Sequence, residues 1–333
     1  MSVHIVSRRG VRPVTGQNMV GKIMTVLGPI APEEFGVCLV HEHLIVDSWA
    51  IWQVPNYSLI VDDVNLVTEE VQRFKDIGGH SIVDVTNIGL GRNPRALHQI
   101  SQATGLHLVM GTGWYREKAY PPYIQELGPN ELAAIMVKEI TEGVDDTGIK
   151  AGIIGEIGTE RGYITPAQER VFRAVARAQR QTGAPLSTHT THWGELGLEQ
   201  LALLAEEGVD PRKVIVGHLG DRRDIKIILP IAEQGSFLSI DNIGYHDYQK
   251  EERRAQNVMD LIAAGYRSQI LLSMDIATLN DLHWYGGKGF AYLLESFVPL
   301  LKSLGATDED IRVMMVENPS RALAFTEPTM PVS

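Results

Sequence analysis

The chain predicts a (β/α)₈ TIM-type barrel with a short N-terminal hairpin, and three observations lead there. Eight short apolar runs recur along the length, their apolar residues fall in blocks rather than strict alternation, and segments of helical periodicity lie between them. Apolar blocks of this kind mark parallel strands covered on both faces. The run ends, near residues 43, 87, 113, 156, 189, 218, 243 and 275, are 25 to 44 residues apart, which leaves room for one helix and two loops. Eight such units in about 250 residues favour a closed barrel over an open doubly wound sheet.

Residues 1 to 18 carry three arginines without an apolar stretch after them, so they read as a loose arm and not as a signal peptide. Residues 22 to 36 predict the hairpin. The strand runs follow at 37 to 41 (VCLVH), 81 to 85 (SIVDV), 106 to 110 (LHLVM), 152 to 157 (GIIGEI), 185 to 189 (PLSTH), 213 to 218 (KVIVGH), 236 to 241 (SFLSID) and 269 to 275 (QILLSMD). The clearest helix spans about 165 to 181: Thr165 and Gln168 have capping-box spacing, Pro166 takes the first helical position, and Gly183 supplies a stop. Others are expected near 64 to 77, 130 to 142, 195 to 207, 251 to 264 and 290 to 303, with 325 to 333 as a frayed tail. No proline-rich or serine-rich linker divides the chain. One domain over 1 to 333, with a core of about 21 to 325, is the expectation.

Composition removes several function classes. With 30 Lys and Arg against 41 Asp and Glu, the net charge of -11 argues against nucleic acid as a partner. No segment approaches the ~18 apolar residues of a membrane span, so no membrane partner is expected. The single cysteine, Cys38, excludes an intramolecular disulfide and any multi-cysteine metal site, and points to a reducing cytoplasm. Gly111-Thr-Gly113 lacks the third glycine of a dinucleotide loop, and there is no phosphate-binding Walker motif.

The residues at the run ends carry the chemistry. In a barrel, the C-terminal strand ends converge on one mouth. His41 and His43 end the first run, Glu156 the fourth, His189 the fifth, His218 the sixth and Asp275 the eighth. Residues two apart on a strand point the same way, so His41 and His43 can share the barrel axis while Glu42 points outward. A lone histidine at a strand end is more often a hydrogen-bonded core residue, and the weight lies in the set of six. Four imidazoles and two carboxylates form a donor set suited to zinc and similar divalent ions, and six donors suit two ions bridged by a shared carboxylate. Glu156 and Asp275 each follow apolar residues, where an unpaired carboxylate would cost several kcal/mol. His192, just past the fifth run, is left as a loop residue.

These stretches resemble the phosphotriesterase-like family of the amidohydrolase superfamily. GKIMTVLGPI, LVHEHL, GTGWY, GIIGEIG, STHTTHWGELGLEQL, VIVGHLGD, LLSMD and VMMVENPSRAL carry the resemblance, in order, from about residue 21 to 325. It implies a (β/α)₈ barrel with two divalent metal ions per chain, zinc first, with Mn²⁺, Co²⁺ or Fe²⁺ as alternatives. It places His41, His43 and Asp275 on one metal, His189 and His218 on the other, and the bridge at Glu156. The best-known members bridge through a carbamylated lysine, and this chain looks like the branch with glutamate. Lactonase-like members carry an arginine where this chain has Asn242, but Tyr115 matches a tyrosine those lactonases place near the metals.

The function expected from this is hydrolysis by a metal-bound hydroxide, with Asp275 accepting its proton and Tyr115 orienting the hydroxide or the carbonyl oxygen. A small-molecule lactone or related carboxylic ester is the first substrate class, an amide of a small N-acyl compound the second, a phosphotriester the third. A metal-dependent small-molecule binding protein without turnover, and a metal-free phosphate-binding isomerase barrel, are readings from other classes. A homodimer is compatible with the resemblance. Trp114, Tyr120, Tyr123, Tyr245 and Trp284 are expected to shape the pocket. Arg116, Lys118, Arg222, Arg223 and Lys288 are expected near any anionic substrate group.

Overall fold

The computed structural model describes residues 19 to 54, 56 to 192 and 196 to 330. The predicted N-terminal arm lies outside the described residues. Eight parallel strands form one sheet in sequence order: β1 (Cys38–Glu42), β2 (Ser81–Asp84), β3 (His107–Thr112), β4 (Ile153–Gly158), β5 (Leu186–His189), β6 (Val214–Val216), β7 (Phe237–Ile240) and β8 (Ile270–Leu272). Helices on the outside connect them, giving the expected (β/α)₈ barrel. The hairpin pairs Ile23–Thr25 with Gly28–Ile30.

The seam between β1 and β8 is closed by side chains as well as backbone. Glu42, expected to face outward, is fully buried and accepts from Ser273 Oγ at 2.7 Å and from the Met274 and Ile276 amides at 2.8 and 2.9 Å. Ser273 Oγ in turn accepts from the His41 amide at 2.9 Å. Backbone bonds from His43 to Ile276 and from Asp275 to His41 complete the seam. Burial pushes the Glu42 carboxyl up to about 7, although the three donors oppose it.

Five predicted helices form within a few residues of expectation: Val64–Asp76, Pro129–Thr141, Pro166–Thr182, Gly197–Glu206 and Glu251–Ala263. The capping box at Thr165 forms in both directions, at 3.1 and 3.0 Å, and Gly183 ends the helix at φ 70°. Caps of this kind contribute about 1 kcal/mol. The sixth, expected near 290 to 303, begins with a π-helical turn at Leu293–Phe297 and continues through Val298–Ser303. A further helix, not among those expected, forms at Pro94–Thr104 with an Asn93 cap, Pro94 at the first turn and Gly105 at the stop.

The tail expectation needs correction over its described part. Phe325 is buried, its backbone pairs with Gly21 and Lys22 at the base of the hairpin, and Thr326 bonds Gly183. The apolar side chain supplies the reason: exposing it would forgo about 1.5–3 kcal/mol of burial. Residues 331 to 333 lie outside the described residues.

The interior divides into two layers. Outward-facing strand residues pack on the helices, whereas Cys38, Val40, Val83, Val109, Ile153, Ile215 and Leu271 form a separate apolar core inside the barrel. Cys38 is buried there and its thiol is pushed well up by that burial, as an inert core residue would be.

Candidate metal centre

Two irregularities in the sheet aim the mouth residues. From Leu39 to Glu42, β1 advances three residues while its partner β2 advances two, Ile82 to Asp84. The same mismatch occurs in β4, where Ile154 and Ile157 pair with Leu186 and Thr188. Each inserts one residue and so reverses which face the following side chains take. Val40 faces the barrel interior, so simple alternation would have sent His41 outward, and Ile153 would likewise have sent Glu156 outward. After the bulges, His41, His43 and Glu156 all turn inward.

The six strand-end donors meet. Glu156 is buried at the centre, with Oε1 3.3 Å from His43 Nε2, and Oε2 2.9 Å from His189 Nδ1 and 3.2 Å from both His41 Nε2 and His218 Nε2. Asp275 Oδ1 lies 3.2 Å from His43 Nε2 and 3.6 Å from His41 Nε2. His189 Nδ1 and His218 Nε2 are 2.6 Å apart. Donor atoms within reach of a common ion fall into two sets, His41, His43, Asp275 and His41, Glu156, His218. The first is the expected one. In the second His41 recurs, while His189 approaches through Glu156 and His218.

Electrostatics show what such a cluster needs. Burial alone would raise the Glu156 carboxyl, but the imidazoles of His41, His189 and His218 hold it well below the usual range. Burial would lower His43, yet its bonds to Asp275 and Glu156 raise it to about 10, while burial and the neighbouring His218 take His189 down to about 3. Both ring nitrogens of His41 are buried without a hydrogen bond. Unmet buried polar atoms cost about 1–3 kcal/mol each. Divalent cations among these nitrogen and oxygen donors would meet that demand, so the residues fit a metal centre.

Outer groups orient the rings. Thr86 Oγ1 holds His43 Nδ1 at 2.9 Å, which leaves Nε2 for the centre. Asp241, fully buried, binds His218 Nδ1 at 2.9 Å and the His218 amide at 3.0 Å, and accepts from Ser239 Oγ at 2.7 Å. Burial would raise its carboxyl, but the His218 imidazole keeps it below its ordinary value. Such carboxylate–imidazole pairs fix the tautomer of a ligating histidine. Asp241 ends the seventh apolar run, so the strand-end rule could have found it. His218, Asn242 and Asp275, just past β6, β7 and β8, have φ of 57°, 57° and 59°. Non-glycine residues in this left-handed region gather at functional sites.

The mouth pocket corrects the expected lining. Of the five expected aromatics only Tyr245 lines it; Trp114 is fully buried and donates to Tyr123, and Trp284 is 69% exposed. Tyr115, Trp52 and Tyr248 line it instead, with Val46, Ile51 and Leu90. Tyr115 places its hydroxyl 3.2 Å from His189 Nε2, and burial raises it well above the ordinary tyrosine range, so it stays a phenol. His192 also lines the mouth, 2.6 Å from Asp221 Oδ2 and stacked on Tyr248. Asn242 bonds the same Asp221 oxygen at 3.0 Å. None of the five expected cations is among the described lining residues: Arg116 is paired with Glu160, and Arg222 donates to Thr190.

A parallel barrel with inward imidazoles and carboxylates at the C-terminal strand ends is the frame of a metal-dependent hydrolase. Residues 21 to 323 match the model of the Phosphotriesterase family, and the chain belongs to that family. It is 38% identical to the phosphotriesterase homology protein of Escherichia coli over 86% of this chain and 97% of that one. It is 35% identical to an aryldialkylphosphatase of Saccharolobus solfataricus (88% and 96% covered) and 32% to an N-acetyltaurine hydrolase of Danio rerio (92% and 98%). Among solved structures, a lactonase from Listeria monocytogenes superposes with a TM-score of 0.86 at 30% identity, covering 92% of this chain and 100% of that one. A resiniferatoxin-binding protein from Rhodobacter sphaeroides gives 0.87 at 34%, covering 91% and 95%. With family and named hydrolase relatives agreeing, this chain is a metal-dependent hydrolase, and the readings without turnover or without metal give way.

Proposed function

We propose that this chain hydrolyses a lactone or related carboxylic ester of an uncharged small molecule at a two-ion centre. His41, His43 and Asp275 would hold one ion, His189 and His218 the other, with Glu156 between them. The observation that carries this reading is the placement of Glu156, whose two oxygens face different imidazoles. Zinc is the first choice of metal. Divalent ions there would acidify a water to a pKa of about 7 and draw charge from the scissile carbonyl.

The chain's own groups supply the rest. Asp275 faces the centre from β8 and is held below its usual range: burial opposes this, but the His218, His43 and His41 imidazoles outweigh it. It is therefore a carboxylate able to accept a proton from the attacking water and pass it to the leaving oxygen. Tyr115, a protonated phenol beside His189, would donate to the carbonyl oxygen. Val46, Ile51, Leu90, Trp52 and Tyr248 would hold the apolar part of the substrate.

The absence of lysine and arginine from the described lining supports an uncharged substrate over a sulfonate or carboxylate of an N-acyl amino acid. The 32% identity to an N-acetyltaurine hydrolase supports the amide reading, which stands second. The zinc- and manganese-loaded chain should be assayed on lactones, aryl esters, N-acyl amino acids and aryl phosphotriesters. The expected order of kcat/KM is lactone or ester first, and N-acyl turnover above lactone turnover overturns it. Metal analysis should give two ions per chain, falling in a His218→Ala variant.

A further inference from the structure

A second cavity, of about 470 Å³, opens at the other end of the barrel, among Pro185, Lys213, Phe237 and Gln269 at the N-terminal ends of β5 to β8. Its size is within the roughly 300–1,000 Å³ of small-molecule pockets. The floor is apolar, with Phe237, Pro185 and Ala322, while Arg212, Lys213 and Arg321 bring three cations against one carboxylate, Asp210. That carboxylate is engaged by Arg212 at 2.7 Å. Among the described residues Lys213 makes no ion pair. Arg321 lies over the Phe237 ring at 5.1 Å and, among the described residues, donates to the Ser268 carbonyl and to Asn318 Oδ1, neither of which is charged.

Gln179 adds a hydrogen-bonding group to the cavity wall. It is 4% exposed, lines the cavity, and its side-chain amide has no hydrogen bond among the described residues. The amide is not among the fully buried unsatisfied groups, so it opens on the cavity, where a ligand oxygen can reach it. Asp210 offsets part of the charge of Arg212 and Lys213, and Glu317 part of that of Arg321; the lining itself still holds three cations to one carboxylate in a chain with a net charge of -11, and a cleft focuses such a field on an incoming anion.

We propose that this cavity binds a small organic anion, a carboxylate on a compact apolar body, with Lys213 and Arg321 on the charge, Gln179 on a carboxylate oxygen and Phe237 under the body. The site lies at the opposite end from the metal centre and does not depend on the substrate chosen there.

Calorimetric titration of the full chain with benzoate, benzyl alcohol and inorganic phosphate tests it. Benzoate should bind at least tenfold more tightly than benzyl alcohol or phosphate, and more weakly as salt rises. A Lys213→Met, Arg321→Met double variant should lose benzoate binding at least tenfold while keeping its turnover of a reference ester. His43→Ala, which alters only the mouth, should bind benzoate as the parent does. Should the double variant fail to fold, Lys213→Met and Gln179→Leu singly carry the same test. Binding that survives the cavity substitutions, that disappears in His43→Ala, or that is equal for benzyl alcohol overturns the proposal.

Discussion

Near the N-terminal ends of the strands the barrel interior is filled by Cys38, Val83, Val109, Ile153, Ile215 and Leu271, and closed below by Phe35 and Leu323. A few residues further along the same strands it holds four imidazoles and two carboxylates within hydrogen-bonding distance of one another. The apolar end gains free energy by excluding water, at about 25 cal/mol per Å² buried. The polar end spends some of it, on desolvated charges and three left-handed residues. Stability and reactivity are thus separated along one axis, and substitutions at the two ends should fail in different ways.

The largest effect belongs to the mouth. Asp275→Asn should lower kcat/KM about 10³-fold, within the range for general acid–base groups, while denaturant unfolding shows a midpoint close to the parent's. Unfolding of the variant at ambient temperature would break the comparison. At the apolar end Leu271→Ala should do the reverse. It should cost about 3 kcal/mol of unfolding free energy by leaving a cavity, with turnover per folded molecule retained.

Removing the metal joins the two ends. Treatment with a chelator should abolish turnover and lower the unfolding free energy by about 2.7 kcal/mol per ion, about 5.4 kcal/mol for two, relative to protein holding each ion at a hundred times its Kd. Calorimetric scans before and after adding Zn²⁺ or Mn²⁺ check both changes. Tyr115→Phe, which removes one hydroxyl 3.2 Å from His189, should reduce kcat about tenfold, in line with one hydrogen bond of about 1.4 kcal/mol, with metal content unchanged. The smallest expected effect is none: Cys38, buried and with its thiol pushed up, should resist a thiol reagent until the chain unfolds, and rapid modification of the native protein would show the apolar end to be open.

Much of this was legible before the structure. Strand positions followed from apolar blocks and most helices from caps and glycine stops, because these signals act over a few residues. The helix at Pro94–Thr104 carries the same signals in Asn93, Pro94 and Gly105, although it is not among the expected helices. The donors His41, His43, Glu156, His189, His218 and Asp275 were legible because a barrel brings strand ends together. Asp241, at the end of SFLSID, obeys the same rule without being among the expected donors. The pocket lining was not legible: Trp114 and Tyr245 each directly follow a glycine just past a strand, yet one is core and the other faces the mouth. Loop side chains take their direction from packing against other loops, which no local pattern encodes.

The residue types and their spacing alone determined an alternation of strands and helices with metal-suited donors at the strand ends and favoured a closed barrel, since periodicity and the succession of runs along the chain are local properties. The tertiary structure decided which way those donors face. A one-residue bulge in β1 and another in β4 turn His41, His43 and Glu156 inward, and Glu42 is drawn to the β8 seam by Ser273 and two amides. A bulge is a mismatch between two strands, and a seam joins residues more than 230 positions apart, so neither exists until the partners meet.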